Sequence, residues 1–412
     1  MAPTLSDALT LPCGQVLPNR FMKSALSEAL GDPSQAPTEK LERLFGTWSS
    51  GGYGLIVTGN VMVDRRHLGE PGNVAIEDDR HLDGFARWAK ATQDGGVPIW
   101  MQINHPGRQS NPFGRNQPVA PSPVALKVPG AKTPRELTGD EIEEIIDRFA
   151  TAALVAETAG FNGVQIHGAH GYLVAQFLSP LTNVRTDEWG GSPDNRMRFV
   201  LEVVRRIRGT VSPGFAVGIK LNSADFQRGG FTEEESKDVV ARLAGESMDL
   251  IEISGGSYEA PAMMGPKKAS TVAREAYFLE YAKTVREVAR NVPLAVTGGF
   301  RTRTAMESAL SSGDCDMIGL GRPAATTPAA AGSILEGADK LDSHRRGVTG
   351  AAVLGKVANT KTLDGLIDLQ WHTDQLHRIG AGKEPDLNRP SWKTTVAMVR
   401  RNGRDVLRRK RS

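Results

Sequence analysis

The chain has 412 residues, 39% of them hydrophobic and 24% charged, with 45 glycines, 24 prolines and two cysteines. That charged fraction and a mean hydropathy of −0.31 exclude a disordered chain, and no apolar run approaches the roughly 18 to 20 residues of a membrane-spanning helix. The net charge of +3 joins unlike parts: residues 391–412 carry eight basic residues and one acidic, leaving 42 basic and 46 acidic residues, a net of −4, elsewhere.

In chain order, short apolar runs stand at Arg20–Leu26, Gly54–Val63, Pro98–Asn104, Gly163–His167, Phe215–Leu221, Asp249–Ser254, Pro293–Thr297 and Asp316–Leu320. Their apolar residues are continuous rather than alternating, as in GLIVTG and AVGIKL, which is the pattern of strands buried on both faces. Between them the spacing predicts helices over Asp140–Gly160, Arg274–Asn291, Thr302–Leu310 and about Thr326–Leu335. Thr138 with Glu141, and Thr232 with Glu235, have the spacing of capping boxes. Eight strands, each followed by a helix, predict an α/β fold of the (β/α)8 TIM-barrel type. A doubly wound sheet would carry G-x-G-x-x-G after an early strand, and that fingerprint is missing there. The expected division is a barrel over residues 1–340 and a C-terminal extension over 341–412, with a helical basic tail packed on the barrel or on a partner subunit. Residues 105–137 form a long Pro- and Gly-rich connection after the third strand, a length that usually carries function.

Active sites of such barrels gather at the C-terminal ends of the strands, and polar or small residues stand at every one of these ends. Gly298 and Gly299 follow strand seven, while Gly321 and Arg322 follow strand eight. Glycines there allow close backbone approach to a phosphate, and the guanidinium adds a fork of donors. Tight strand-to-helix turns are the bland alternative. His167, His170 and Tyr172 stand within six residues at the end of strand four. Metal ligation is disfavoured because no carboxylate or thiol accompanies them, so acid–base work or hydrogen bonding to a carbonyl are the open roles, and no metal is expected. Lys220 lies inside the apolar VGIKLN, where an ammonium needs an anionic or electron-rich partner; a Schiff-base nucleophile and a partner for a cofactor anion both remain open.

Four segments together carry a resemblance: NR-x6-S at Asn19–Ser27, QINHPGRQ at Gln102–Gln109, the long HGAHGYLVAQFLSPLTNVRTDEWGGSPDNRMRF at His167–Phe199, and GLGRP at Gly319–Pro323. They resemble the Old Yellow Enzyme family of flavin-dependent ene-reductases, over about residues 5 to 340, and most of all its NADH:flavin oxidoreductase / NADH oxidase branch. The resemblance implies one noncovalent FMN across the barrel mouth and NADH or NADPH as hydride donor. Ser24, Ala25, Leu26, Ser27 and Gly59 would line the isoalloxazine, and Gln102 would bond its pyrimidine side. Lys220 would stand near N1 and O2, and Gly298, Gly299, Gly321 and Arg322 would hold the phosphate. His167 and His170 would bind the oxygen of an activated alkene, and Tyr172 would donate the proton. Ping-pong reduction of enones, enals, maleimides or nitroalkenes follows from that resemblance. NAD(P)H oxidase activity and oxidative amine demethylation are the alternatives on the same barrel. The flavin-side cysteine of some short relatives is absent from Ala25-Leu26-Ser27, Ala29 stands where some relatives have an aromatic, and Trp189 replaces a more usual Tyr.

Two cysteines, Cys13 and Cys315, exclude the relatives that carry a cysteine-ligated cluster. The N-terminal MAPTLSDALTLPCGQ lacks a basic region followed by an apolar core, so the expected location is cytoplasmic. The expected partner is a small-molecule alkene. No nucleic-acid or membrane partner is expected, because the basic tail has no aromatic interleaving. A homo-oligomer, with a dimer favoured, completes the expectations.

Overall fold

The computed structural model describes residues 2–111, 116–127, 131–255, 278–344 and 360–397. Eight parallel strands close into a barrel: β3 (Phe21–Lys23), β4 (Leu55–Met62), β5 (Ile99–Asn104), β8 (Gly163–Gly168), β9 (Ala216–Asn222), β10 (Leu250–Ser254), β11 (Leu294–Thr297) and β12 (Met317–Leu320). Each corresponds to one of the eight apolar runs. Strand β12 pairs with β3 in parallel, so first and last strands meet and no sheet edge is left in the barrel. The first strand is shorter than its run: only the Ser24 N–H, bonded to the Leu320 carbonyl at 3.0 Å, extends the pairing, after which residues 25–31 leave as a loop.

Side chains alternate inward and outward along each strand. The lower interior holds Met22, Leu55, Val57, Trp100, Ala216, Leu250, Ala295 and Met317. Trp100 fills this layer because Gly218 gives it room; a Cβ at Gly218 would lie 2.6 Å from the indole ring. An antiparallel hairpin of β1 (Leu9–Thr10) and β2 (Val16–Leu17) closes the bottom. Leu11 and Leu17 join the interior cluster, and Gln15 Oε1 accepts the Trp100 indole N–H at 2.9 Å.

Outer helices pack apolar faces onto the barrel. The helix predicted over Asp140–Gly160 runs Gly139–Thr158, with Ile142, Ile145, Ile146, Phe149 and Ala153 buried. Its capping box is present, as is that of helix Glu233–Leu243 at Thr232 and Glu235. The helix expected over Arg274–Asn291 is Leu279–Val285, and residues 274–277 lie outside the described residues. The helix expected over about Thr326–Leu335 starts later, as Ala330–Leu335, and a break at Thr327 separates it from a short helix, Arg322–Thr326. Pro328 causes the break by forcing Thr327 out of the helical region, to φ −136° and ψ 88°. In the long connection after β5, β6 (Val119–Ala120) pairs with β7 (Arg135–Glu136). In the extension, helix Thr360–Gly380 buries Trp371, Leu376 and Ile379. Residues 398–412 of the basic tail lie outside the described residues. Among the described residues, no helix is long and apolar enough to cross a membrane.

Candidate functional site

The upper half of the barrel interior changes character. On the inward positions Trp100 gives way to Gln102 and Asn104, Gly163 to Gln165 and His167, Gly218 to Lys220, Leu250 to Glu252, and Ala295 to Thr297. Hydrogen bonds join these side chains across five strands. Gln102 Nε2 donates to Gln165 Oε1 at 2.8 Å, and Gln165 Nε2 donates to Glu252 Oε2 at 2.8 Å. Thr297 Oγ1 donates to Glu252 Oε1 at 2.6 Å and lies 2.7 Å from Ser24 Oγ. Lys220 Nζ stands 3.0 Å from Glu252 Oε1, with both side chains buried. Glu252 is thus the anion that Lys220 requires.

Above this layer, β8 ends in a tight turn. His170 at φ +61° and Gly171 at φ +75° are both left-handed, and Tyr172 starts helix Leu173–Leu178. The turn folds the three predicted side chains together: the His167 ring centroid is 5.1 Å from that of His170 and 4.7 Å from that of Tyr172. Asn222 Oδ1 accepts the His170 backbone N–H at 3.1 Å, and the His170 ring Nε2 bonds Ser254 Oγ at 2.8 Å. Burial, followed by the charge of Lys220, pulls His170 down to about 3. Burial, His170 and Lys220 hold His167 well below the ordinary range. Both imidazoles are therefore neutral at pH 7. His167 Nδ1 accepts the Ala169 N–H at 3.4 Å, which assigns its proton to Nε2.

The loop after β3 borders the same mouth. Ser27 Oγ donates to Glu70, and Ala29 is left-handed at φ +50°. Strand β4 has a register irregularity between Val57 and Asn60, and Gly59 sits in it. The Gly59 N–H is taken by both oxygens of Glu28 at 2.9 and 3.1 Å, and a Cβ at Gly59 would lie 2.2 Å from Glu28 Oε2. Glu28 in turn lies 3.6 Å from Lys23 Nζ, which donates to the Val57 carbonyl at 3.1 Å and sits 3.9 Å above the Trp48 ring. Burial pushes Glu28 up and Lys23 down. Lys23 and Glu28 were not singled out from the sequence, although a lysine inside FMKSAL invites the argument applied to Lys220. Glu252, inside LIEIS, carried the same signal.

On the neighbouring strands, Gly298 and Gly299 have φ of +122° and +97°, a backbone that favours glycine and leaves no side chain between the main chain and an approaching anion. Gly319 is required by packing, since a Cβ there would lie 1.9 Å from Thr297 Oγ1. At Gly321 the nearest atom to a Cβ is Leu26 Cδ2 at 3.6 Å, which leaves the backbone approachable. Arg322 Nη1 donates to Asp368 Oδ2 at 3.1 Å, from the C-terminal helix. The predicted cofactor residues therefore stand on or just after β3, β4, β5, β9, β11 and β12 of one closed barrel. Their donor set suits an anionic, ring-bearing cofactor such as FMN: open glycine backbone and a guanidinium on one side, and a lysine and amide side chains below.

One further grouping lies beyond the predicted residues. Asp64, His67 and His105, all buried, bring ligand-type atoms within 4.8 Å of one another. Asp64 is held by the Arg66 fork at 2.7 to 3.0 Å, which brings it down to about 2 although burial opposes the shift. His105 Nδ1 accepts the Gly107 N–H at 3.1 Å, so its Nε2 carries the proton and is not a ligand atom in this tautomer.

Comparison with known proteins places these observations. Residues 13–339 match the model of the NADH:flavin oxidoreductase / NADH oxidase family. The NADH-dependent flavin oxidoreductase iccE of Talaromyces variabilis is 39% identical over 354 residues, 79% of this chain and 84% of its own. The structure of a 2-naphthoyl-CoA reductase complex matches with a TM-score of 0.74 and 26% identity over 81% of this chain; the match spans 52% of that longer protein. Morphinone reductase matches with a TM-score of 0.68 and 26% identity, over 83% of this chain and 92% of its own.

Proposed function

The chain belongs to the NADH:flavin oxidoreductase / NADH oxidase family, and from that premise we propose that it reduces the C=C bond of small activated alkenes by a ping-pong cycle. It is an NADH-dependent FMN oxidoreductase. FMN, when bound, supplies the two-electron chemistry, taking hydride from NADH or NADPH and passing hydride to carbon. Ser24, Ala25, Leu26, Ser27 and Gly59 would line its ring, Gln102 would bond the pyrimidine side, and Lys220 would supply positive charge to it. The backbone at Gly298, Gly299 and Gly321, together with Arg322, would hold the phosphate.

The reading rests most on two neutral imidazoles packed together beside Tyr172, that of His167 buried and that of His170 half-buried. A neutral imidazole presents an N–H to a carbonyl or nitro oxygen without delivering its proton prematurely. His167 and His170 then stabilise the negative charge that develops on that oxygen. Tyr172 donates a proton to the α-carbon as hydride reaches the β-carbon. The two substrates occupy one mouth in turn, which sets the ping-pong order. Morphinone reductase and 2-naphthoyl-CoA reductase are reductases by name, which supports the reductive direction.

The test is Tyr172→Phe. Anaerobic bleaching of the yellow protein by NADH should proceed at the wild-type rate, while recovery with an enone or maleimide slows by about 100-fold or more. Unchanged alkene turnover removes Tyr172 from the donor role. Recovery of the wild type with O2 alone favours oxidase activity.

A further inference from the structure

The C-terminal helix Thr360–Gly380 lies outside the matched segment 13–339, yet it is bonded to both sides of the mouth. At the β12 end, Asp368 Oδ2 accepts Arg322 Nη1 at 3.1 Å. At the β3 end, His377 Nε2 bonds the Glu28 carbonyl at 2.9 Å, within the loop that follows Ser24–Ser27. The helix is fixed independently of both contacts. Arg43 Nε donates to the Gly380 carbonyl at 3.0 Å, and Gly380 packs so closely that a Cβ would lie 2.8 Å from the Lys40 carbonyl. Trp371 is fully buried and donates its indole N–H to the Arg389 carbonyl at 2.9 Å. His372 Nδ1 bonds the Asp368 carbonyl at 2.7 Å and stands 3.8 Å from Asp368 Oδ1.

We propose that Asp368 is a positioning residue for Arg322, so that the C-terminal extension completes the grip on the FMN phosphate. An arginine side chain carries several rotatable bonds, and that of Arg322 is 29% exposed. A long exposed side chain loses conformational entropy when it closes on an anion. Asp368, itself 14% exposed and carried on an anchored helix, takes one Nη1 hydrogen and holds the guanidinium plane. The remaining donors of the fork stay available for a phosphate oxygen pair. Asp368 thus acts through Arg322 and makes no demand on the isoalloxazine ring.

The inference rests on Arg322 being a phosphate ligand, and riboflavin, which has the same ring without the phosphate, separates the two claims. Full-length apoprotein is titrated with FMN and with riboflavin, read by quenching of flavin fluorescence. Arg322→Ala should weaken FMN and leave riboflavin unchanged. Asp368→Ala should weaken FMN about tenfold, the scale of one charge-assisted hydrogen bond, again with riboflavin unchanged. Asp368→Asn, which keeps an acceptor oxygen for Nη1, should recover most of that loss. The double variant should be no weaker than Arg322→Ala alone. If Arg322→Ala does not separate FMN from riboflavin, the phosphate reading fails. If it does, but Asp368→Ala leaves FMN unchanged, tightens it, or weakens both flavins equally, the positioning role is overturned.

Discussion

Replacing Glu252 by Gln isolates the buried ion pair inside the barrel that Lys220 makes with Glu252. The side chain is fully buried and accepts from Lys220 at 3.0 Å, Thr297 at 2.6 Å and Gln165 at 2.8 Å. Glutamine matches its shape and keeps an acceptor, so packing changes little and the lost quantity is the countercharge to Lys220. Two unit charges 3.0 Å apart at an effective dielectric of about 20 attract by about 5.5 kcal/mol. Measured costs of stranding one partner of a buried pair are about 3–5 kcal/mol. Urea unfolding of the apoprotein, followed by fluorescence and circular dichroism, should therefore show Glu252→Gln losing about 3–5 kcal/mol. Lys220→Met in the same background should restore much of it, because no buried ammonium is then left alone. The double-mutant cycle should give a coupling above about 2 kcal/mol. A loss under about 1 kcal/mol, or a cycle without coupling, would refute the pair as a structural element.

The remaining predictions concern the same barrel. His170 has its folded-state value near 3, below the ordinary 6.5, so between those two values the unfolded chain binds the proton first and stability falls as pH falls. The slope contributed is about 1.4 kcal/mol per pH unit. His170→Asn, a residue that tolerates the left-handed backbone, should flatten urea stability between pH 6 and 4, and an unchanged slope would contradict the assignment. Gly218→Ala should lose about 1–3 kcal/mol and shift tryptophan emission, because its Cβ meets Trp100 at 2.6 Å; wild-type stability would mean that the ring is free to move.

Fold and site were legible to different depths. The eight strands could be read because parallel strands covered on both faces are continuously apolar; six predicted runs contain their strands, and β8 and β9 each run one residue further. The cluster of His167, His170 and Tyr172 could be read because local spacing alone brings it together. Glu252 was harder, since its importance lies in facing Lys220 across a register that pairs β9 with β10, a relation between residues 32 positions apart. Lys23 and Glu28 were missed for a similar reason: one ends a strand, the other lies in a loop, and the closed barrel buries them together beside Trp48. The hairpin at Leu9–Leu17 has too few residues to show a period, and its reason for existing is the open floor beneath Trp100. Asp368 stands 46 residues after Arg322, so the pairing of the two follows from helix docking rather than from any motif.

The charges at the mouth explain why its acid and its hydrogen-bond donors can be different residues. Lys23 is balanced by Glu28, Lys220 by Glu252, and Arg322 by Asp368. Each cation therefore stays in place without stranding an uncompensated charge in the barrel. Burial opposes a further positive charge on His167 and His170, and Lys220 acts in the same direction. The imidazoles are left as neutral donors, suited to an oxygen that gains charge. The proton that must reach carbon is then left to Tyr172, a weaker acid packed against His167. Removing the positive charge at position 220 should for this reason do more than weaken cofactor binding. In Lys220→Met the pH at which the histidines protonate should rise, and proton NMR of their ring resonances should record that rise. Unmoved histidine titrations would mean that burial alone keeps them neutral.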